Sequence, residues 1–226
     1  MSKHLDREMD RLRDRLIDQF GIVEEMTHMA VRSLVQRQVH LADAVVNRDA
    51  EVDAEDIRIE EQCLMVLALH QPVAGDMRKL ISVIKANAEL ERMADLACNV
   101  AERARALDLY PLFPVPDEMT DLSVATTAMV RRALDSFVDS DTTVAGEVLR
   151  ADDEVDALNR IVIDQIHEIM KADSDQIEPG VHCFSASRHL ERIADLAVSI
   201  AEDVIYSVDG DIIRHQHGTR TEPQAT

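Results

Sequence analysis

Four pairs of acids, each spaced four residues apart, could do chemistry in this chain: Asp49/Asp53, Glu91/Asp95, Asp152/Asp156 and Glu191/Asp195. Residues four apart share one face of a helix, where like charges cost about 0.2–0.5 kcal/mol per pair. The pairs also recur in order. "ERMADLACNVAE" (Glu91–Glu102) and "ERIADLAVSIAE" (Glu191–Glu202) agree at eight of twelve positions, 100 residues apart. "EVDA" stands at Glu51–Ala54 and again at Glu154–Ala157, 103 residues apart. A solvated face accounts for any single acid pair in an acidic protein. Four pairs at repeat-equivalent places ask for more. Converging carboxylates either raise one another's pKa or bind a cation that cancels their field. Oxygen-only ligation suits Mg, Ca or Mn, and iron where carboxylates bridge several ions.

Helical geometry sharpens the pattern. With Glu91 at zero, Asp95 falls at about 40°, Glu102 at about 20° and Asn87 at about −40°. Leu90, Met93, Ala94, Ala97, Val100 and Ala101 fall on the far side. In the second copy Glu191, Asp195 and Glu202 take the same angles, with Ser187 in place of Asn87. On the preceding helix Asp49, Asp53, Asp56 and Glu60 share one narrow face; in the later copy Asp152 and Asp156 are joined by Asn159. If the two motif helices of each half are neighbours, four carboxylates converge per half.

The elements that must position these acids are helices. Of 226 residues 46% are hydrophobic, but only 3% are aromatic, and Trp is absent. With six Gly and six Pro, turns are few. The chain reads as all-α. Periodicity and breakers predict helices over about 4–37, 40–70, 75–108, 117–139, 142–171 and 180–208. Leu12, Leu16, Val23, Met26, Ala30 and Leu34 form the apolar side of the first. Leu41, Val45, Val52, Ile59 and Val66 form the seam of the second. "YPLFPVPDE", with Pro111, Pro114 and Pro116, is the link between halves. "DSD" (139–141) marks a turn, and "ADSDQIEPG" (172–180) reads as a loop. The expected architecture is two tandem three-helix bundles related by pseudo-two-fold symmetry: residues 1–110, a link at 111–116, residues 117–208, and a loose tail at 209–226. The Ala-rich third helices suit the interface between the halves.

Net charge is −20, from 24 basic and 44 acidic residues. Such a surface repels phosphate backbones and anionic lipid heads, which argues against nucleic-acid binding and membrane binding. No apolar run reaches the length of a spanning helix, and the charged start "MSKHLDREMDRLRDRL" is unlike a signal peptide. Cys63, Cys98 and Cys183 lie far apart with no CxxC pair, as reduced thiols of a cytoplasmic protein do.

These residues resemble the PhoU family of phosphate-transport regulators. The matching segments are "RDAEVDAEDIRIEEQCLMVLALHQPVAGDMRKL" and "ANAELERMADLACNVAE" in the first half, "DDEVDALNR" and "SRHLERIADLAVSIAEDVIY" in the second. The resemblance spans about residues 5–208. It implies two three-helix bundles, a homodimer, and a negative regulator of the phosphate-starvation response. It implies contact with the ATPase of the high-affinity phosphate ABC transporter and with a membrane sensor histidine kinase. It also implies iron or zinc on the paired motifs, which by position are Asp49, Asp53, Glu91, Asp95, Asp152, Asp156, Glu191 and Asp195. The family commonly reads Gly-Asp-His where this chain has Ala94–Asp95–Leu96 and Ala194–Asp195–Leu196, so a nitrogen donor is gone from each half. A carboxylate-rich metal-storage protein and a helical scaffold for an unrelated partner are the competing readings.

Other candidates carry less. Glu25-x-x-His28 has di-iron spacing but no second copy. His189 falls off the acidic face and reads as packed or partnered; His182 and Cys183 read as core. The ten Met are core filler. His215 and His217 sit in the tail. No nucleophile elbow, phosphate loop or dinucleotide fingerprint occurs, which makes catalysis unexpected. Without a Gly-rich nest, phosphate would be felt only through a bound cation or a partner.

Overall fold

A computed structural model describes residues 3–210. Six long α-helices follow one another: α1 (Lys3–Val35), α2 (Val39–His70), α3 (Gly75–Asp108), α4 (Glu118–Asp139), α5 (Thr142–Ala172) and α6 (Ile177–Asp209). No strand occurs among the described residues. α1, α2 and α3 pack into one three-helix bundle, and α4, α5 and α6 into a second. The most extensive contact of all joins α3 to α6, α1 touches α4, and α2 and α5 lie at the outer flanks.

The apolar seams explain this order. Leu12, Leu16, Val23, Met26, Ala30 and Leu34 of α1 are buried, as are Val45, Val52, Ile59, Cys63 and Val66 of α2. Leu41 is only half-buried. The repeat equivalents Val148, Val155, Val162 and Ile166 line α5 in the same register. In α3 and α6, Ala86, Ala94, Ala97 and Ala101 and their counterparts Ala186, Ala194, Ala197 and Ala201 are buried, so the two backbones run close. Small side chains permit that approach, and close packing then excludes water from both helices.

The pseudo-two-fold relation appears in the bonds between α3 and α6. Ser82 Oγ donates to the Asp203 carbonyl at 3.2 Å; at the repeat-equivalent place Arg103 Nη1 lies 3.4 Å from His182 Nδ1. Asp203, 2% exposed, also receives Lys85 Nζ at 2.9 Å, and that ammonium sits 5.2 Å from the Tyr206 ring centroid.

The turns are short and polar. Arg37 (φ +52°), Gln71 (φ +47°), Ala74 (φ +49°) and Ser140 (φ +52°) reverse the chain between helices. Arg37 then folds onto the end of the first bundle: its guanidinium donates to the carbonyls of Leu107 (3.0 Å), Tyr110 (3.3 Å) and Phe113 (2.9 Å). Those carbonyls end α3 and begin the proline link, where Leu107 and Tyr110 otherwise accept turn-type bonds, from the N–H of Tyr110 (3.0 Å) and of Phe113 (3.1 Å). Asp141 caps α5, accepting from the backbone N–H of Thr143 at 2.7 Å and of Val144 at 3.2 Å.

One boundary differs from the expectation. The stretch 172–180 is not a loop: a short 3-10 turn (Ser174–Gln176) leads into α6, which begins at Ile177. Pro179 falls in the first turn of α6, where its missing N–H would have had no helical acceptor, so it does not break the helix. α6 also includes Asp209 and closes on Gly210 (φ +83°), whose N–H reaches the Tyr206 carbonyl at 3.0 Å. The expected loose tail, with His215 and His217, lies outside the described residues.

Candidate cation-binding faces

The far side of each motif helix is buried, as the helical angles require. Leu90, Met93, Ala94, Ala97, Val100 and Ala101 are all within the core. That leaves the acids outside, and the packing of α2 against α3 sets them opposite one another. Asp53 and Asp95 are exposed; Asp49, Asp56 and Glu91 are half-buried.

Their mutual fields show that the two stripes converge. Partial desolvation pushes the Asp95 carboxyl above its ordinary pKa, and the charges of Asp49 and Asp53 across the groove push it further. Glu91 is raised by desolvation, then by Asp95, Asp56 and Asp53, with Arg92 in weak opposition. Asp56 is raised by desolvation, Glu60 and Asp53. Among the described residues none of Asp49, Asp53, Glu91 and Asp95 makes an ion pair. The nearby bases face other acids. Arg48 holds Glu25 and Glu51, Arg58 holds Glu55 at 3.1 Å, and Arg92 holds Glu89 at 3.2 Å.

The second face is built on the same plan but is compensated. Glu191 is raised by burial and by Asp195, yet Arg188 Nη1 lies 2.8 Å from its Oε1 and opposes the shift. Arg160 Nη2 lies 3.2 Å from Asp156 Oδ2. Asp195 is raised by burial and Asp156, against which Arg188 and Arg192 work. Asp152, half-buried, stands one turn before Asp156 on α5.

Both faces open on one side of the molecule. A groove of about 230 Å³ along the α3–α6 seam is lined by Arg92, Asp95 and Leu96 with their counterparts Arg192, Asp195 and Leu196. Leu96 and Leu196 therefore stand beside the acids.

Three neighbours escaped the sequence reading. Cys98 lies on the acidic face at about −20° from Glu91, and its Sγ donates to Asp49 Oδ1 at 3.5 Å. Burial and Asp49 push this thiol up to about 12. Its spacing of seven residues from Glu91 was the available signal. Arg188 and Arg160 are the other omission; their signal was the replacement of Ala88 and Ile57 at the equivalent first-half positions.

Among the described residues no three His, Cys, Asp or Glu side chains close around a common point. The donors are hard oxygens with one thiol, and the buried Oδ1 of Asn87 lacks a hydrogen-bond donor. The donors have the hard-oxygen chemistry a divalent cation takes, but they are not gathered into a site.

A helical protein made of two repeated bundles, with acidic stripes on one side and no helix among the described residues long and apolar enough to cross a membrane, defines the class. A family profile described as the PhoU domain matches residues 16–104 and again 119–204. The chain belongs to the PhoU family. It is 34% identical over 213 residues to the phosphate-specific transport system accessory protein PhoU homolog of Aquifex aeolicus, covering 94% of this chain and 96% of that protein. It is 33% identical over 225 residues to the homolog of Pseudomonas aeruginosa, covering 99% and 93%. The crystal structure of PhoU from Pseudomonas aeruginosa superposes with a TM-score of 0.89 at 33% identity, over 91% of this chain and 99% of that one. PhoU from Streptococcus pneumoniae gives 0.84 at 25% identity, over 92% and 98%.

Proposed function

We propose that this chain is a non-enzymatic regulatory adaptor of phosphate uptake that acts in the cytoplasm as a negative regulator of the phosphate-starvation response. It does so by touching the ATPase of a phosphate ABC transporter and a sensor histidine kinase. The observation that carries this reading is the doubled PhoU domain across nearly the whole chain. The accessory role in phosphate-specific transport named for its relatives supports it. A pull-down from phosphate-replete cells with mass spectrometry tests it. Recovery of the transporter ATPase or the kinase is the expected result. Phosphatase expression that stays repressed in phosphate-rich medium after gene deletion would sink the regulatory role.

A cation on the acidic faces is part of the same reading. Asp49, Asp53, Glu91 and Asp95 would hold it on the first face, and Asp152, Asp156, Glu191 and Asp195 are the candidates on the second. Iron, zinc, Mg, Ca or Mn would supply positive charge between neighbouring helices. A second copy of the chain is the remaining partner. Leu64, Met65 and Leu69 near the C-terminal end of α2, and Val73 in the turn after it, are exposed, from 56% at Leu64 to 75% at Leu69. They form an apolar surface on a highly acidic protein and support self-association there. We predict that Leu64→Glu with Leu69→Glu converts a dimer to a monomer in light scattering; an unchanged dimer mass would place the contact elsewhere.

A further inference from the structure

The proline link is held from inside while two of its leucines face out. Phe113 is buried, and Arg37 fixes the backbone through the carbonyls of Leu107, Tyr110 and Phe113. The first turns of α6 hold the same link from the other half: Glu178 faces the Tyr110 hydroxyl, and the His182 ring centroid lies 6.5 Å from that of Tyr110. Yet Leu109 and Leu112, which flank Tyr110, are 78% and 89% exposed. Ile177 and Val181 fall about 40° apart on α6, next to the face that meets Tyr110, and both are exposed. The four apolar side chains therefore adjoin at the link end of the molecule. Asp108, Asp173, Asp175 and Glu178 surround them. All four are exposed, and none makes an ion pair among the described residues. The neighbouring bases serve other acids, Arg105 pairing with Asp43 and Lys171 with Glu168.

We propose that this end of the molecule, built by the link and the first turns of α6, is where a regulated protein docks, and that the docking segment carries apolar side chains flanked by lysine or arginine. This rests on the adaptor reading above and gives its contact a place and a chemistry. Adjoining apolar side chains left in water mark an interaction surface. Because Arg37 and Phe113 already fix the backbone beneath Leu109 and Leu112, covering those leucines orders little that is not ordered beforehand. Charge selects the occupant. A second copy docked through the same surface about a two-fold axis would set the same four acids against one another. Anionic lipid is repelled for the same reason. A basic segment instead covers the leucines and cancels the unpaired carboxylates at the rim. The repeat does not offer this surface twice: Arg78 and Lys79 stand in the first half where the second has Glu178 and Pro179.

The test titrates the full chain with the purified transporter ATPase and with the detergent-solubilised sensor histidine kinase. Hydrogen exchange then maps whichever complex forms with the unaltered chain, so the answer does not depend on a variant folding. Protection over residues 108–113 and 177–182 is expected. Two double variants separate anchor from charge. Leu109→Ser with Leu112→Ser should weaken binding by about tenfold or more, through faster dissociation. Glu178→Gln with Asp175→Asn should slow association and flatten its dependence on salt. A complex protected elsewhere, with an affinity that neither variant alters, overturns the docking surface and leaves the adaptor role standing. Binding to neither protein removes the adaptor role and the surface together. If Leu109→Ser/Leu112→Ser lowers the mass of the free chain in light scattering, the surface joins copies of this chain and the proposal fails. Binding that is indifferent both to salt and to Glu178→Gln/Asp175→Asn overturns the basic character assigned to the docking segment.

Discussion

Glu91 and Asp95 show how a single carboxylate can work against its own fold. Both are raised above their ordinary values by desolvation and by facing acids. The folded chain therefore holds protons more tightly than the unfolded one between the ordinary and the raised values. Stability falls as pH climbs from the ordinary carboxylate range through the raised one. At neutral pH the full repulsion is present. Asp95→Asn should stabilise the metal-free protein at pH 7.5 in low salt by about 0.5 kcal/mol, a modest figure because the side chain is exposed and screened. The gain should vanish near pH 4 and shrink in high salt. Thermal melts at several pH values check this, and a loss of stability at pH 7.5 would contradict it. Cys98 gives a second reading of the same field. Its thiol is pushed to about 12. Little thiolate then exists at pH 8, and alkylation of the native protein should be slow. Asp49→Ala removes both the charge and the acceptor, and should speed Cys98 modification; a rate unchanged by the substitution would deny the coupling.

At the scale of elements, the helices are held by apolar seams and ended by a few strained or capped residues. Ala74 has φ +49° and ψ −116°. Glycine adopts that conformation far more readily than alanine. The strained residue gives a sharp entry into α3, whose first turns then lie along α2. Ala74→Gly should raise stability by about 1 kcal/mol, read as a higher denaturation midpoint with an unchanged slope. A lower midpoint would mean that unfolded-chain entropy outweighs the strain.

For the whole molecule, the seam between the halves matters most. α3 and α6 meet through alanines, and Lys85 with Asp203 supplies a charged pair across that seam. Removing one partner of a buried pair leaves the other charge desolvated. Lys85→Met should cost about 2–3 kcal/mol, somewhat below the usual range for buried pairs because the lysine is one-third exposed. Denaturant melts measure it. A loss under about 0.5 kcal/mol would show that this pair contributes little to holding the halves together.

Helix number, helix faces and the doubled plan were legible in the chain itself. Val45, Val52, Ile59 and Val66 repeat at a helical period, and the proline triplet can only interrupt a helix, so local chemistry decided these features. The acid pairs and their common face followed from spacing alone. Pro179 misled, because a proline stops a helix only where its N–H is needed, and the start of α6 is set by what precedes it. The partners of the acids were not legible. Arg188 and Arg160 were visible as residues, but an arginine can swing several ångströms, and which carboxylate it meets depends on the rotation of α5 against α6. The contact of Cys98 with Asp49, and of Lys85 with Asp203, joins residues 49 and 118 positions apart. Charges are placed on a helix by its sequence; whether they are cancelled is decided by the neighbouring helix, since electrostatic energy depends on distances through space that only packing sets.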